Sequence, residues 1–184
     1  MKPTEELKDE HQAIKLALKI LGKICEKLEL GAGVDPAHLE NMVDFIRTFA
    51  DRCHHGKEED LLFPEMEKAG MPREGGPIGV MLTEHDAGRR FVKGMIEAAG
   101  QYRAGESGAA SQFAENARNY IDLLTRHIDK EDNILYPMAD KLLPEDRQQA
   151  LLADFAKVEA ERIGAGRHEA FHQMLHELRE IYLV

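Results

Sequence analysis

One pattern of potential metal ligands occurs twice in the chain. A histidine is followed four residues later by a glutamate at residues 54–58 and again at residues 127–131. A further histidine precedes each pair, 43 residues before the first and 42 residues before the second. Two copies of this unit supply four imidazoles and two carboxylates, which is a ligand set for a pair of metal ions. The repeated residues are His11, His54, Glu58, His85, His127 and Glu131.

The spacing within each pair suits a metal site on a helix. Residues four apart lie on the same helix face, so each pair presents an imidazole and a carboxylate together. An ionised glutamate that faces a protein core costs several kcal/mol unless a cation, a proton or a partner compensates its charge. Imidazole and carboxylate ligands without thiolates favour iron, manganese or zinc, and a dinuclear site with carboxylate bridges favours iron.

Each of these residues also has an ordinary interpretation. A single histidine in a core is more often hydrogen-bonded than bound to a metal, and a histidine and glutamate four residues apart are usually a solvated pair. The joint occurrence favours the metal site, because four histidines and two glutamates occupy core positions that one internal repeat relates.

Composition excludes several classes of partner. The 184-residue chain has a formal net charge of −10 and no cluster of Lys and Arg, which argues against binding to nucleic acid or to an anionic membrane. No apolar run approaches the roughly 18 residues that a membrane span needs, and residues 1–6 lack the apolar core of a signal peptide. We therefore expect a cytoplasmic protein in which Cys25 and Cys53 are buried thiols rather than a disulfide.

Apolar periodicity predicts an all-α protein. Four long helices with a three-and-four spacing of apolar residues are separated by glycine- and proline-rich breaks near residues 31–33, 70–77 and 105–108. In the fourth helix the predicted core stripe runs through Leu124, His127, Glu131 and Ile134. Short loops predict an antiparallel up-down-up-down four-helix bundle over residues 1–143. Residues 144–184 are expected to form a C-terminal extension packed on the bundle, with helices at about 145–163 and 167–182.

These motifs resemble the hemerythrin-like, or HHE cation-binding, family. The resemblance covers about residues 4–142 and rests on Glu10-His11, His54-His55-x-x-Glu58, Glu84-His85 and His127-x-x-x-Glu131. It implies a centre of two non-haem iron ions (Fe²⁺/Fe³⁺) with an oxo or hydroxo bridge; Mn or Zn are alternative metals. The implied ligands are His11, His54, Glu58, His85, His127 and Glu131. Ferritin-like bundles use a Glu-x-x-His spacing and match less well.

Two positions depart from the pattern of oxygen-carrying members of the family. Those proteins have a second histidine on the third helix, where this chain has Arg89. His55 is our candidate for the fifth histidine ligand; the alternative is that it is exposed or hydrogen-bonds to a ligand. Oxygen carriers also place an aspartate at the position of Asp132. Because the repeat pairs Glu131 with Glu58, we expect Glu131 to be the bridge and Asp132 to be exposed.

Three functional hypotheses follow. The first is a di-iron protein that binds or senses a small molecule such as O₂, NO or peroxide, or that handles iron. The second is an oxidase, peroxidase or NO-reducing enzyme at the same centre. The third is a metal-free or zinc-bound helical module that acts through protein contacts. The sequence does not specify an oligomeric state.

Three further histidines recur every fourth residue near the C-terminus: His168, His172 and His176. They lie outside the repeat. We interpret them as surface or packing residues rather than a second metal site, because a single helix face supplies no opposing ligand.

Overall fold

The computed structural model describes residues 1–184 and consists of helices without β-strands, which confirms the predicted all-α class. The two C-terminal helices end within one residue of their predicted bounds. No helix has an apolar stretch long enough to cross a membrane. The helices are α1 (Pro3–Glu29), α2 (residues 36–68), α3 (Pro77–Arg103), α4 (residues 109–142), α5 (Glu145–Arg162) and α6 (Arg167–Tyr182).

Local sequence accounts for most helix ends. The Asp35 side chain accepts a hydrogen bond from the Ala37 backbone amide at 2.9 Å, and Pro36 occupies the first turn of α2, where its missing amide hydrogen costs nothing. After α1 and α3 the chain turns through Gly31 and Gly105, whose φ angles of 71° and 75° suit glycine. These signals set the long helices at the lengths that the periodicity predicts.

Both α2 and α4 contain π-helical segments at the predicted ligands. In α2 these are Ile46–His55 and Glu58–Leu62, and in α4 the segment is Glu131–Leu135. The last two segments end two residues before Pro64 and Pro137. A proline has no amide hydrogen and its ring clashes with the carbonyl four residues earlier, so a wider turn lets the helix continue past it.

The π-helical turn corrects the predicted core stripe of α4. Ile134, which the α-helical spacing places in the core, is 52% exposed, whereas Leu135 is 1% exposed. The reason is that the wider turn needs four residues rather than three to return from Glu131 to the buried face.

The predicted ligands form a polar layer between two apolar clusters. The larger cluster includes Ile14 of α1 and Leu124 of α4, and the smaller one includes Leu7 of α1 and Leu135 of α4. On both helices the ligand positions therefore lie between the two clusters in sequence. Cys25 and Cys53 are buried free thiols in the larger cluster, as predicted.

The C-terminal helices contribute side chains to both clusters. Phe155 of α5 is fully buried in the smaller cluster, and Phe171 and Leu175 of α6 are buried in the larger one. At the end of α6 the Tyr182 hydroxyl lies 2.6 Å from His38 Nδ1 on α2. Residues 144–184 are thus held to the first two helices by apolar contacts, together with ion pairs such as Arg162–Asp60 and Arg167–Asp44.

We expect Phe155→Ala to lower the free energy of unfolding by about 3–5 kcal/mol, because it leaves a cavity under α5. Urea denaturation followed by circular dichroism measures the change. The control is Ile181→Ala on α6, where the side chain is 51% exposed and the expected change is within about 0.5 kcal/mol. Equal effects of the two substitutions would show that α5 is not anchored through this ring.

Candidate metal centre

The structure buries all seven candidate ligands and brings them together between α1, α2, α3 and α4. They form two groups in which the potential ligand atoms lie within 4.8 Å of one another. The three-residue group is His11, His54 and Glu131, and the four-residue group is His55, Glu58, His85 and His127.

In each group the Nε2 atoms of two imidazoles face each other. The Nε2 atoms of His11 and His54 are 3.0 Å apart, and those of His85 and His127 are 3.1 Å apart. Two nitrogens bound at about 2.1 Å to one ion, at about 90° to each other, would also be about 3.0 Å apart. The separations therefore suit neighbouring ligands of one ion.

The two buried glutamates lie between the groups. Glu131 places Oε2 3.2 Å from His11 Nε2 and Oε1 2.9 Å from His127 Nε2, so one oxygen faces each group. Glu58 places Oε2 3.3 Å from His85 Nε2. Its Oε1 accepts a hydrogen bond of 2.7 Å from the hydroxyl of Tyr136, which itself lies 3.3 Å from His11 Nε2. Both carboxylates thus reach toward both groups.

Three of the four carboxylate oxygens have no hydrogen-bond partner. Glu58 Oε2 and both oxygens of Glu131 are buried without a donor in hydrogen-bonding geometry, although imidazole nitrogens lie close to them. Such groups carry a desolvation penalty of roughly 1–3 kcal/mol each, and more when charged. Cations at the two groups would compensate this charge, so the residues present fit a pair of metal ions.

The second nitrogen of each repeated histidine faces a carboxylate from a neighbouring helix. We call these residues the supporting carboxylates: Glu10 of α1, Glu59 of α2, Glu84 of α3 and Asp132 of α4. The Nδ1–oxygen distances are 2.7 Å for His54–Glu10, 3.4 Å for His85–Glu59, 3.3 Å for His127–Glu84 and 2.7 Å for His11–Asp132. The contacts link α1 to α2, α2 to α3, α3 to α4 and α4 back to α1. They hold each imidazole with Nε2 directed inward.

Cationic side chains in turn hold the supporting carboxylates. Lys57 pairs with Glu10, and Lys130 pairs with Glu84. These two lysines occupy equivalent positions in the repeat, three residues after the histidine. The Lys57 ammonium is fully buried, so its pairing with Glu10 also offsets a large desolvation cost.

Asp132 is not exposed, contrary to the prediction. Its carboxylate is 19% exposed, contacts His11 Nδ1 and pairs with Lys15 at 2.9 Å. The carboxylate lies one residue after Glu131 and so points to the outer side of the ligand layer. Asp132 therefore supports a ligand instead of facing solvent.

His55 is buried and belongs to the four-residue group. Its ring stacks on that of His85 with the centroids 4.0 Å apart, and its Nδ1 lies 3.4 Å from Asp51 Oδ1. Burial, followed by the nearby charge of His85, lowers the pKa of His55 well below its usual value. An uncharged imidazole can bind a metal ion, which is consistent with His55 as a ligand.

Arg89 holds the two carboxylates that support His55 and His85. Its guanidinium pairs with Asp51 at 2.9 Å and with Glu59 at 2.6 Å. The residue that replaces the family's third-helix histidine therefore acts behind the four-residue group rather than in it.

The two buried glutamates and the supporting carboxylates raise the pKa values of three inward-facing histidines, His11, His85 and His127. Burial lowers the pKa of His11, but the hydrogen bond with Asp132 and the nearby carboxylate of Glu131 outweigh it and raise the pKa to about 9. For His85 burial is outweighed by Glu131, Glu58 and Glu59, and the pKa rises to about 11. Without metal, protons on these imidazoles balance the buried carboxylates, and metal binding has to displace them.

Tyr136 distinguishes the two halves of the site. Its ring stacks on His11 with the centroids 5.5 Å apart, as Phe63, its counterpart in the repeat, stacks on His85 at 6.2 Å. Only the tyrosine brings a hydroxyl, which donates to Glu58. Roles for Tyr136, the two lysines and most of the supporting carboxylates were not predicted from the sequence. The signal was present, because Glu10 and Glu84 precede repeated histidines and both lysines recur in register.

Comparison with known proteins gives partial relatives. An uncharacterized protein of Mycobacterium tuberculosis, Rv1995, is 24% identical over 160 residues, which are 87% of this chain and 62% of the relative. The iron-sulfur cluster repair protein YtfE of Salmonella newport is 38% identical over 90 residues, which are 47% of this chain and 40% of that protein. The chain thus spans 62% of the length of its mycobacterial relative. No solved structure matches the chain.

The match to a family model covers most of the chain. The model of the hemerythrin HHE cation-binding domain matches residues 2–139, which include every residue of both ligand groups and all four supporting carboxylates. The expected resemblance is therefore confirmed, and the chain belongs to the hemerythrin HHE cation-binding family.

Proposed function

We propose that this chain is a non-haem di-iron protein that binds a small molecule, O₂, NO or peroxide, at one of two inequivalent irons. In this proposal residues 1–143 form an antiparallel up-down-up-down four-helix bundle and residues 144–184 are its helical extension. The observation that carries the proposal is Glu131, whose two oxygens face different ligand groups without a hydrogen-bond partner. A carboxylate in this position suits a bridge between two cations.

The proposed ligands divide unequally between the irons. His11 and His54 would hold one ion, and His55, His85 and His127 would hold the other, with Glu58 and Glu131 shared by both. The first ion would then have four protein ligands and the second five. Because iron with nitrogen and oxygen ligands accepts about six, the ion at His11 and His54 has more positions for an external molecule. When bound there, iron supplies Lewis acidity and a change of oxidation state.

Tyr136 borders the less crowded ion. Its hydroxyl is 3.3 Å from His11 Nε2 and donates to Glu58, so it orients this carboxylate and brings a polar hydrogen to the side of the open positions. The other half has Phe63 at the equivalent place and no such donor. We therefore assign to Tyr136 the positioning of Glu58 beside the open positions, since its one hydroxyl hydrogen is donated to this carboxylate.

A second candidate function is the handling of iron. The protein of Salmonella newport that is 38% identical over part of this chain is named for iron-sulfur cluster repair. A centre that exchanges its iron would serve such a role. An oxidase, peroxidase or NO-reducing activity at the same open position is the enzymatic alternative. The metal-free module is disfavoured by the buried carboxylate oxygens that lack partners.

The proposal predicts two irons per chain after anaerobic loading with Fe²⁺ and removal of excess metal. Glu131→Ala and His127→Ala should each retain fewer than two, because Glu131 is a bridge and His127 is a ligand. His176→Ala, at an exposed histidine of α6, should keep both. Inductively coupled plasma mass spectrometry on the gel-filtered proteins measures the content.

A full complement of iron in His127→Ala would refute the ligand assignment. Substoichiometric zinc, or no metal, in the loaded wild-type protein would refute the di-iron proposal as a whole and favour the interaction module.

Tyr136→Phe removes only the hydroxyl and should leave two irons per chain. We expect NO to dissociate at least tenfold faster from the diferrous variant, because Glu58 loses the hydrogen bond that holds it in place beside the open position. Stopped-flow absorption with an NO scavenger measures the rate. The control is Tyr120→Phe, a second buried tyrosine of α4 with no hydrogen bond to either glutamate. Equal rates in Tyr136→Phe and Tyr120→Phe would exclude this role.

Three assays separate the candidate functions. Reversible binding without product supports the binding or sensing protein, and steady turnover of peroxide or NO identifies an enzyme. Transfer of iron to an apo iron-sulfur protein, faster than release to a chelator, supports iron handling.

A further inference from the structure

The C-terminal helices bring together a second set of metal-binding side chains, outside the centre described above. His168 and His172 lie one turn apart on α6 with their Nε2 atoms 2.9 Å apart. Glu159 comes from α5 and places Oε1 2.7 Å from His168 Nδ1. The structure thus places a carboxylate from a second helix beside the Nδ1 atom of His168, where it can orient the ring but is not a ligand at Nε2, and the sequence pattern alone does not reveal this contact.

The geometry of the pair matches that of the family's metal centre. The Nε2–Nε2 separation of 2.9 Å compares with 3.0 Å for His11 and His54 and 3.1 Å for His85 and His127. A carboxylate oxygen also lies close to Nδ1 of both imidazoles in the two pairs of the main site, and to Nδ1 of His168 in the third pair. Histidines four residues apart on one helix face are a common arrangement for binding a transition metal ion.

The surroundings favour a cation. A cavity of about 280 Å³ adjoins the pair and is lined by the carboxylates of Glu6, Asp9, Glu10 and Glu159 but by no lysine or arginine. The ammonium of Lys57, which is not among the lining residues, pairs with Glu6 and Glu10 and is 3.6 Å from Glu159. Four carboxylates against one ammonium leave the cavity negatively charged.

The two rings are held from the buried side. Phe49 packs edge-on against both, with ring centroids 5.4 Å from His168 and 6.1 Å from His172. His168 Nδ1 is buried and has no partner in hydrogen-bonding geometry, since Glu159 Oε1 lies close but out of line. Burial, and then the neighbouring His168, lowers the pKa of His172, which favours the neutral imidazole that a metal ion requires.

We propose that His168 and His172 bind one divalent first-row transition metal ion through their Nε2 atoms, and that Glu159 orients His168. Water completes the coordination, so the ion exchanges readily with solvent. Two imidazoles suit Co²⁺, Ni²⁺, Cu²⁺ and Zn²⁺ as well as Fe²⁺. The site lies on α6 beside Glu10, which supports His54, and it does not depend on the di-iron proposal.

The test is equilibrium dialysis of the full, iron-loaded chain against Co²⁺, with cobalt and iron measured in the same samples. We expect the wild-type protein to bind one Co²⁺ per chain in addition to its iron. His168→Ala and His172→Ala should each weaken this binding at least tenfold, and Glu159→Gln should weaken it about 10–100-fold. His176→Ala, one turn further along the exposed face of α6, should bind as the wild type does.

Unchanged iron content and circular dichroism in the variants show that the fold and the main centre are intact. Equal Co²⁺ binding by wild type and His172→Ala, or no Co²⁺ bound by the wild type beyond replacement of its iron, would overturn the proposal. If the chain holds no iron, the difference between wild type and His172→Ala still decides the question, because both lack the main centre's metal.

Discussion

The negative charge of two buried glutamates is the constraint on which the site depends. Glu58 and Glu131 are fully buried within the long helices α2 and α4, and three of their four oxygens have no hydrogen-bond donor. Their desolvation is costly, and apolar packing above and below offers no compensation. Inward-facing imidazoles supply part of this compensation, either by carrying protons or by binding a cation. The folded state is therefore expected to gain stability from bound metal, and the gain rises with the logarithm of the metal affinity.

The orientation of the imidazoles depends on a second layer of charge. Each supporting carboxylate reaches from one helix to a histidine of the next. Burial raises its pKa, but that histidine, and then a lysine or arginine side chain, together outweigh this effect and lower the pKa. The arrangement is nearly two-fold: Glu10 and Lys57 do for His54 what Glu84 and Lys130 do for His127. Because the contacts pass from helix to helix and return to the first, displacement of one helix would disturb ligands on its neighbours.

The two-fold pattern fails where external molecules are expected to bind. In the repeat Tyr136 has Phe63 as its counterpart and His55 has Ile128. One half of the site therefore has an additional hydroxyl, and the other half has an additional imidazole. In this proposal the half with the additional ligand is the more saturated one. The half with the hydroxyl keeps its positions open.

Much of the helical fold and of the ligand set was predictable from the sequence, whereas other parts of the structure depend on features that local patterns do not encode. Apolar periodicity predicts the helices, and the repeated spacing predicts which six residues meet. Periodicity assumes a uniform α-helix, however, so it places Ile134 in the core, where the π-helical turn before Pro137 puts Leu135 instead. Asp132 was misjudged because its partner, His11, is distant in sequence and becomes a neighbour only through packing.

The most direct test of the central claim is Mössbauer spectroscopy of the oxidised protein loaded with ⁵⁷Fe. Two irons bridged by Glu58 and Glu131 predict a diamagnetic, antiferromagnetically coupled pair that accounts for all the iron. A spectrum of isolated paramagnetic ferric ions would contradict it.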